Sequence, residues 1–162
     1  MKLKPTLLAA AATLLVSGSA LADDKPVNFT LFNPVQIFDD QTSIKGFRFN
    51  VLYGYNRNLT GVDLGIIVNR LDGDLTGGQL GIVNWTETGK VTGGQIGTVN
   101  IHTANVVGAQ VGAFNYAKEV TGLQWGVVNY AERLNNGLQI GIVNIAKNGF
   151  LPVFVIVNFN FG

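Results

Sequence analysis

A short unit recurs through most of this chain and restricts its possible folds more than any other feature. The later copies read GGQLGIVN, GGQIGTVN, GAQVGAFN, GLQWGVVN and GLQIGIVN. Successive copies start 14 to 16 residues apart. A fixed period of this kind indicates a repeat architecture in which each unit packs on its neighbours. The Gln position of the unit is occupied by Arg48, Asp63, Gln79, Gln95, Gln110, Gln124 and Gln139.

Within each unit, large apolar residues alternate with small or polar ones. Leu138, Ile140 and Ile142 fall on one side of an extended chain, and Gln139 falls on the other. An alternation with a period of two predicts β-strands. Polar, Gly-containing pieces such as TETGKVTGG separate the strands and have the composition of turns. The sequence therefore predicts an all-β domain, with about eight strands between residues 46 and 162.

Two all-β architectures can accommodate a repeat of this length. One is an antiparallel meander that closes as a small barrel, and the other is a parallel β-solenoid with coils of about 15 residues. The Asn-Gly pair at 148–149 is a strong hairpin signal, and a turn there places Leu138 opposite Phe159 and Gln139 opposite Asn158. We predict the barrel as the main fold and retain the solenoid as the alternative, which the uniform units and short connections favour.

In the barrel interpretation, the strands have the length of transmembrane β-strands. A further turn at 133–134 would place Gly126 opposite Gly141. The aliphatic face would meet outer-membrane lipid, and the Gln face would line a filled lumen, since eight strands leave space mainly for side chains. In the solenoid interpretation, the same glutamines would form a ladder.

The N-terminus has the layout of a secretory signal peptide. Lys2 and Lys4 precede an apolar run, and an Ala-Leu-Ala sequence at 20–22 matches a cleavage site. We expect residues 1–22 to be removed, leaving an N-terminal segment, 23–45, with one short strand and a β-repeat domain, 46–162. The protein is then expected to be exported, with the outer membrane as its main predicted location and the periplasm or the medium as alternatives.

Composition excludes several classes of function. The chain contains no Cys, which removes disulfides, thiol nucleophiles and thiolate metal sites. Its formal net charge is +1, and the loss of Lys2 and Lys4 leaves 9 basic against 10 acidic residues. Because this balance creates no basic field, we expect no nucleic-acid partner.

Candidate catalytic residues are few. After residue 22 the only serine is Ser43 and the only histidine is His102, so a Ser-His-acid triad would need both. Ser43 lies in a polar loop without the glycines of a nucleophile elbow, and a single histidine cannot form a histidine metal cluster. We therefore predict that the protein is not an enzyme and has no cofactor or metal.

The polar column and the aromatic residues are the remaining candidates for function. The column is predicted to be either a lumen or an architectural ladder, with Arg48 and Asp63 as a buried ion pair. Trp85, Tyr116 and Tyr130 are in phase with Gln. In the barrel they would point inward or close its mouths, and in the solenoid they would form an exposed aromatic ladder suited to adhesion or to stacking on glycans.

The run of GLQIGIVN-like units behind a signal peptide resembles a group of poorly characterised bacterial exported surface-repeat proteins. The resemblance covers residues 46–158 and includes the opening SIKGFRFNVLYGYN and the closing FVIVNFNF. It implies an exported envelope protein and little chemistry. The sequence thus predicts a structural or surface-interaction role in the outer membrane, or alternatively a secreted or periplasmic binding module for a polymer, a glycan or a protein.

Overall fold

A computed structural model describes residues 24–162, which are mostly β-strand, and the predicted signal peptide lies outside them. None of these residues forms a helix of the length and apolarity needed to cross a membrane. The strands are β1 (Asp24–Phe32), β2 (Val35–Gln36), β3 (Ser43–Asn56), β4 (Leu59–Gly65), β5 (Val68–Leu71), β6 (Leu75–Leu80), β7 (Val83–Thr86), β8 (Val91–Ile96), β9 (Val99–Val111), β10 (Phe114–Ala146) and β11 (Val153–Asn160).

Neighbouring strands run parallel, and each pairs one repeat with the next. β4 pairs with β6 and β6 with β8, which places Gly61, Gly77 and Gly93 side by side. β5 pairs with β7 and β7 with β9 in the same way. The long strand β10 winds through more than two repeats and stacks on β9 with Gln124 beside Gln110. The protein is therefore a parallel β-solenoid whose coils match the sequence repeat, as the alternative interpretation predicted.

The predicted antiparallel meander, closed as a barrel, is wrong. At 133–134 the chain continues into the next coil, and Gln124 accepts a hydrogen bond from Gln139 instead of lying across a hairpin from Val143. Among the described strands, antiparallel pairing is confined to the two ends, between β1 and β2 and between β10 and β11. The C-terminal hairpin has the predicted register up to Gly141, with Leu138 opposite Phe159 and Gln139 opposite Asn158, and the register shifts between Gly141 and Asn144.

Each coil consists of two short strands joined by a bend and a turn, so the coils stack into two sheets. The Gln sheet contains β4, β6, β8, the first half of β3 and the second half of β9, and it carries the Gln column. The Asn sheet contains β5, β7 and the remaining halves, and it carries an asparagine column. Glycine is required at the bend, because a Cβ on Gly97 would overlap the carbonyl oxygen of Gly81 and crowd the amide of Asn84.

Four side chains per coil point into the narrow space between the sheets. One column is aliphatic and includes Leu59, Leu75 and Val91, all at most 1% exposed. The second is the Gln column, and the third is the Asn column. The fourth changes along the axis from Leu71 through polar residues to Ala117 and later alanines. Since two of the four columns are polar, the interior depends on hydrogen bonding as well as on apolar burial.

The segment assigned to residues 23–45 continues the stack from residue 24 onward. β1 pairs in parallel with β3, with Asn28 beside Arg48 and Phe29 beside Phe49. The rings of Phe29 and Phe49 stack with centroids 5.7 Å apart. β1 therefore extends the solenoid by one strand at its N-terminal end.

Candidate functional site

The seven residues of the predicted polar column all lie inside the solenoid. Arg48, Asp63 and the five glutamines are at most 2% exposed. Each glutamine donates its side-chain N–H to the side-chain oxygen of the residue one coil nearer the N-terminus, over 2.7 to 3.0 Å. Because the side chains are closed off from solvent and occupied with one another, they form an internal ladder and no ligand can reach them.

The Gln ladder ends on a buried ion pair. Nη2 of Arg48 lies 2.5 Å from Oδ2 of Asp63, and Nε of Arg48 donates to Oδ1 across 2.9 Å. Asn50 and Gln79 donate to the same carboxylate, across 2.9 and 3.0 Å. Four hydrogen bonds, two of them from the bidentate guanidinium, satisfy this anion, which is the condition under which a buried charge is tolerated.

The Asn column forms a second ladder, whose residues were not among the predicted site residues. Nδ2 of Asn84 donates to Oδ1 of Asn100 across 2.8 Å, and Asn100 donates to Asn115 in the same way. The donors point toward the C-terminus here and toward the N-terminus in the Gln ladder, so the two rows of amide dipoles oppose each other. The signal that could have revealed this ladder is the Asn that follows each later Gln at a distance of five residues.

The asparagines also support the glycine bends. Asn84 donates a second hydrogen bond to the carbonyl oxygen of Ile96, and Asn100 to that of Val111, each across 2.9 Å. These carbonyls immediately precede the bend glycine of the next coil. Each of these carbonyls also accepts from the backbone N–H of the bend glycine one coil nearer the N-terminus, so the asparagine supplies its second hydrogen bond. This contact explains physically why the later units end in Asn.

Ser43 and His102 do not meet. Oγ of Ser43 accepts a hydrogen bond from Asn58 across 2.9 Å, near the start of the stack. His102 lies three coils farther along, which corresponds to about 14 Å at the spacing of β-strands. Its ring nitrogens contact the carbonyl oxygens of Thr86 at 2.9 Å and Asn105 at 3.1 Å, and burial lowers its pKa below the ordinary value. Within residues 24–162, no cluster of three or more His, Asp or Glu side chains could hold a metal ion.

The aromatic residues form a column on the outer face of the Asn sheet. The guanidinium of Arg70 lies between the rings of Tyr55 and Trp85, at 4.8 and 5.0 Å from their centroids. Farther along, Tyr116 and Tyr130 stack with centroids 5.3 Å apart and planes inclined by 20°. Rings stacked along the column turn their faces to one another, so sugars would meet mainly ring edges.

Two members of this column, Arg70 and Tyr55, have raised pKa values. Arg70 donates a hydrogen bond to Oη of Tyr53 across 3.0 Å, and this bond, outweighing partial burial, raises the pKa of the guanidinium above its ordinary value. Glu87 pairs with Arg70 at 2.6 Å. Burial is the main cause of a raised pKa for Tyr55. The column is thus held together by ion pairing and cation–π contacts as well as by stacking.

Exposed apolar side chains flank the glycine bends and form what we call the apolar ridge. They repeat on both sides of the bends from coil to coil, and Ile142 is 66% exposed, Trp125 58% and Ile66 54%. A shallow groove floored by the bend glycines runs between the two rows. The ridge comprises Ile66, Leu80, Ile82, Ile96, Trp125, Val127, Ile140 and Ile142.

Charge is confined to the opposite side of the coil. Apart from the buried pair and from Arg70 in the aromatic column, every charged residue from 24 onward lies in the turns across from the ridge or in a strand residue beside them. Several are paired across coils, such as Glu119 with Arg133 at 3.8 Å and Glu132 with Lys147 at 3.5 Å. The solenoid is therefore amphipathic as a whole, with a ridge free of charge and a charged edge.

Comparison of the chain with protein-family models, with curated proteins and with solved structures gave no match.

Proposed function

We propose that this protein is an exported, non-enzymatic binding module of a bacterial envelope, which docks on its partner through the apolar ridge. The proposed setting is the periplasm or the cell surface, where the charged edge would face water. This proposal keeps the surface-interaction role expected from the sequence and assigns it to a solenoid.

The observation that carries the proposal is the separation of charge from apolar surface around every coil. Soluble proteins seldom expose a large contiguous apolar patch unless it serves an interaction. Here exposed Leu, Ile, Val and Trp side chains recur at equivalent positions over about five coil steps, a length of about 24 Å. Packing does not require this arrangement, because the inward columns already fill the solenoid.

Three other parts of the coils support docking less well. The Gln and Asn ladders are closed to ligands, because their polar atoms are buried and mutually bonded. The aromatic column, the candidate for glycan stacking, turns ring faces toward neighbours within the column. The charged edge carries both signs in cross-coil pairs and therefore offers no strong field to a charged polymer.

A pair of matched variants tests the proposal in cells. The double variant Ile82→Asp, Ile142→Asp places charges on the ridge, and both side chains are at least half exposed, so the fold should remain intact. Asn136→Asp adds a charge at an exposed position of β10 on the charged edge, at a φ of 53° that Asp tolerates. The full-length chain would be expressed with its signal sequence, and the fraction retained in the washed envelope would be measured.

We expect the ridge variant to be released into the soluble exported fraction and the Asn136→Asp variant to stay with the envelope. Equal retention of the wild type and both variants would contradict docking through the ridge. Circular dichroism of the purified proteins would confirm that all three are folded.

A further inference from the structure

The ridge as a whole is convex, with the shallow groove between its two rows, because it lies where the backbone turns from the Gln sheet into the Asn sheet. Leu80 and Ile82 project on the two sides of the bend at Gly81. A rigid protein partner would need a long concave channel to cover such a surface. Two copies of the chain placed ridge to ridge would touch along a narrow line. A deformable medium can surround a convex ridge without a matching shape.

The ridge also lacks the polar groups by which protein partners recognise one another. Specific protein interfaces make about one hydrogen bond per 100–200 Å². Along the ridge the exposed side chains are aliphatic or aromatic, with Thr98 as the polar member in the rows that flank the bends. The asparagines already bind the carbonyls that precede the bend glycines. The surface thus offers apolar area with little directional bonding, which is what the acyl region of a lipid layer accepts.

We propose that the partner of the ridge is the surface of a phospholipid bilayer, into which the ridge inserts to the depth of its side chains. The inference rests on the proposed function, since it names the partner of the same ridge. Trp125, 58% exposed, would lie at the boundary between headgroups and acyl chains, where Trp is favoured. The charged edge, on the far side of each coil, would remain in water.

The charge balance fixes the type of lipid binding. Without Lys2 and Lys4, the mature chain carries 9 basic and 10 acidic residues. Interfacial binding combines apolar insertion with attraction to anionic lipid, and here the second contribution is absent. Binding should therefore be about equal on zwitterionic and anionic vesicles and should change less than about twofold between low and high salt.

Vesicle flotation tests the proposal with purified mature protein. The probes are vesicles of phosphatidylcholine alone and of phosphatidylcholine with phosphatidylglycerol. We expect the wild type and Asn136→Asp to float with both vesicle types. We expect Ile82→Asp, Ile142→Asp to lose at least about tenfold in partitioning, because a carboxylate is strongly disfavoured in the acyl region. Analytical ultracentrifugation without lipid would be run on the same samples.

The two tryptophans give an independent measure of which surface touches lipid. Trp125 is on the ridge and Trp85 is in the aromatic column on the Asn sheet. In Trp85→Phe the remaining Trp125 should be quenched by brominated lipids and should shift to the blue. In Trp125→Phe the remaining Trp85 should respond little. Equal quenching of the two single-tryptophan proteins would contradict insertion by the ridge.

The outcomes separate this inference from the proposed function. If the wild type floats with vesicles and the ridge variant does not, the result supports both the lipid inference and the proposed function. If the wild type fails to float but forms a dimer that the ridge variant dissociates, the lipid inference is overturned, and docking through the ridge stands with a second copy as the partner. If the wild type neither floats nor associates, and its retention in the envelope does not depend on the ridge, both are wrong.

Discussion

Nε2 of Gln79 donates a hydrogen bond to Oδ2 of Asp63 across 3.0 Å, so that a ladder of neutral amides ends on a buried carboxylate. Arg48 supplies the compensating charge from the coil before. All the amides in this row donate in the same direction, so the group at the end of the row only accepts a hydrogen bond and donates none. A carboxylate is suited to that position because it is an acceptor only. The ion pair thus closes the polar interior at its N-terminal end.

Replacing the carboxylate should destabilise the protein strongly. Asp63→Gln leaves the guanidinium of Arg48 buried without its counter-ion, and we expect the free energy of unfolding to fall by about 3–5 kcal/mol in urea titrations. Glu132→Gln, which removes an exposed pair with Lys147, should cost less than about 1 kcal/mol. The double variant Arg48→Gln, Asp63→Gln extends the Gln ladder and should recover most of the loss. Equal effects of the two single variants would contradict this account.

Two glycines of the Gln sheet should respond differently to alanine. Gly93 has a φ of +131°, and a Cβ there would overlap the carbonyl oxygen of Gly77 in the coil below. Gly78 has only the distant Gly94 oxygen near its Cβ position, at 3.9 Å. We expect Gly93→Ala to cost at least about 2 kcal/mol. Gly78→Ala should stay within about 1 kcal/mol of the wild type, as measured by thermal unfolding. A tolerated Gly93→Ala would argue against the close stacking of coils.

His102 should make the protein sensitive to mild acid. Burial is the largest cause of its lowered pKa, and hydrogen bonds with the carbonyls of Thr86 and Asn105 oppose it only in part. The unfolded chain therefore binds the proton at a higher pH than the folded protein does. The free energy of unfolding should have its full value above the ordinary pKa of 6.5 and should fall as the pH decreases below it. His102→Ala, which copies Ala117 of the next coil, should flatten the profile of unfolding free energy between about pH 7 and about pH 5. An unchanged slope would assign the acid sensitivity to other groups.

Export should remove the first 22 residues. The small residues Ala20 and Ala22 match the pattern that signal peptidase recognises, so the mature chain should begin at Asp23. Intact-mass spectrometry of the exported protein measures this directly. Ala22→Tyr should block processing and leave the full-length mass, while a mature chain starting elsewhere would show that the cleavage site is misassigned.

The period, the β-class and the C-terminal hairpin could be predicted because each depends on local sequence. The topology could not, because alternation with a period of two is the same in a meander and in a solenoid. The misleading step was to treat each repeat as one straight strand. Gln139 and Asn144 are five residues apart and would lie on opposite faces of such a strand, yet both point inward. The bend at Gly141 resets the alternation and produces this arrangement.

The same bend explains what was mispredicted about the surface. Ile140 and Ile142 were expected on one flat lipid-facing side, and they instead flank a corner of the solenoid. Trp85 and Tyr116, which are in phase with Gln in a straight strand, point outward once the bend is included. The sequence feature that favoured the solenoid was the uniformity of the connections, since a barrel would place alternate turns at opposite ends.

Distances between spin labels test the stacking of the coils most directly, and the absence of Cys makes the labelling straightforward. Lys45, Thr60, Thr76, Thr92, Val107 and Thr121 are neighbours in successive coils on the Gln sheet. With cysteines at Thr60 and Thr121, four coil steps predict a backbone separation of about 19 Å, and with Lys45 and Thr121 five steps predict about 24 Å. Distances that increase by one strand spacing per repeat are the predicted result. Distances that alternate between short and long with successive repeats would contradict the parallel solenoid.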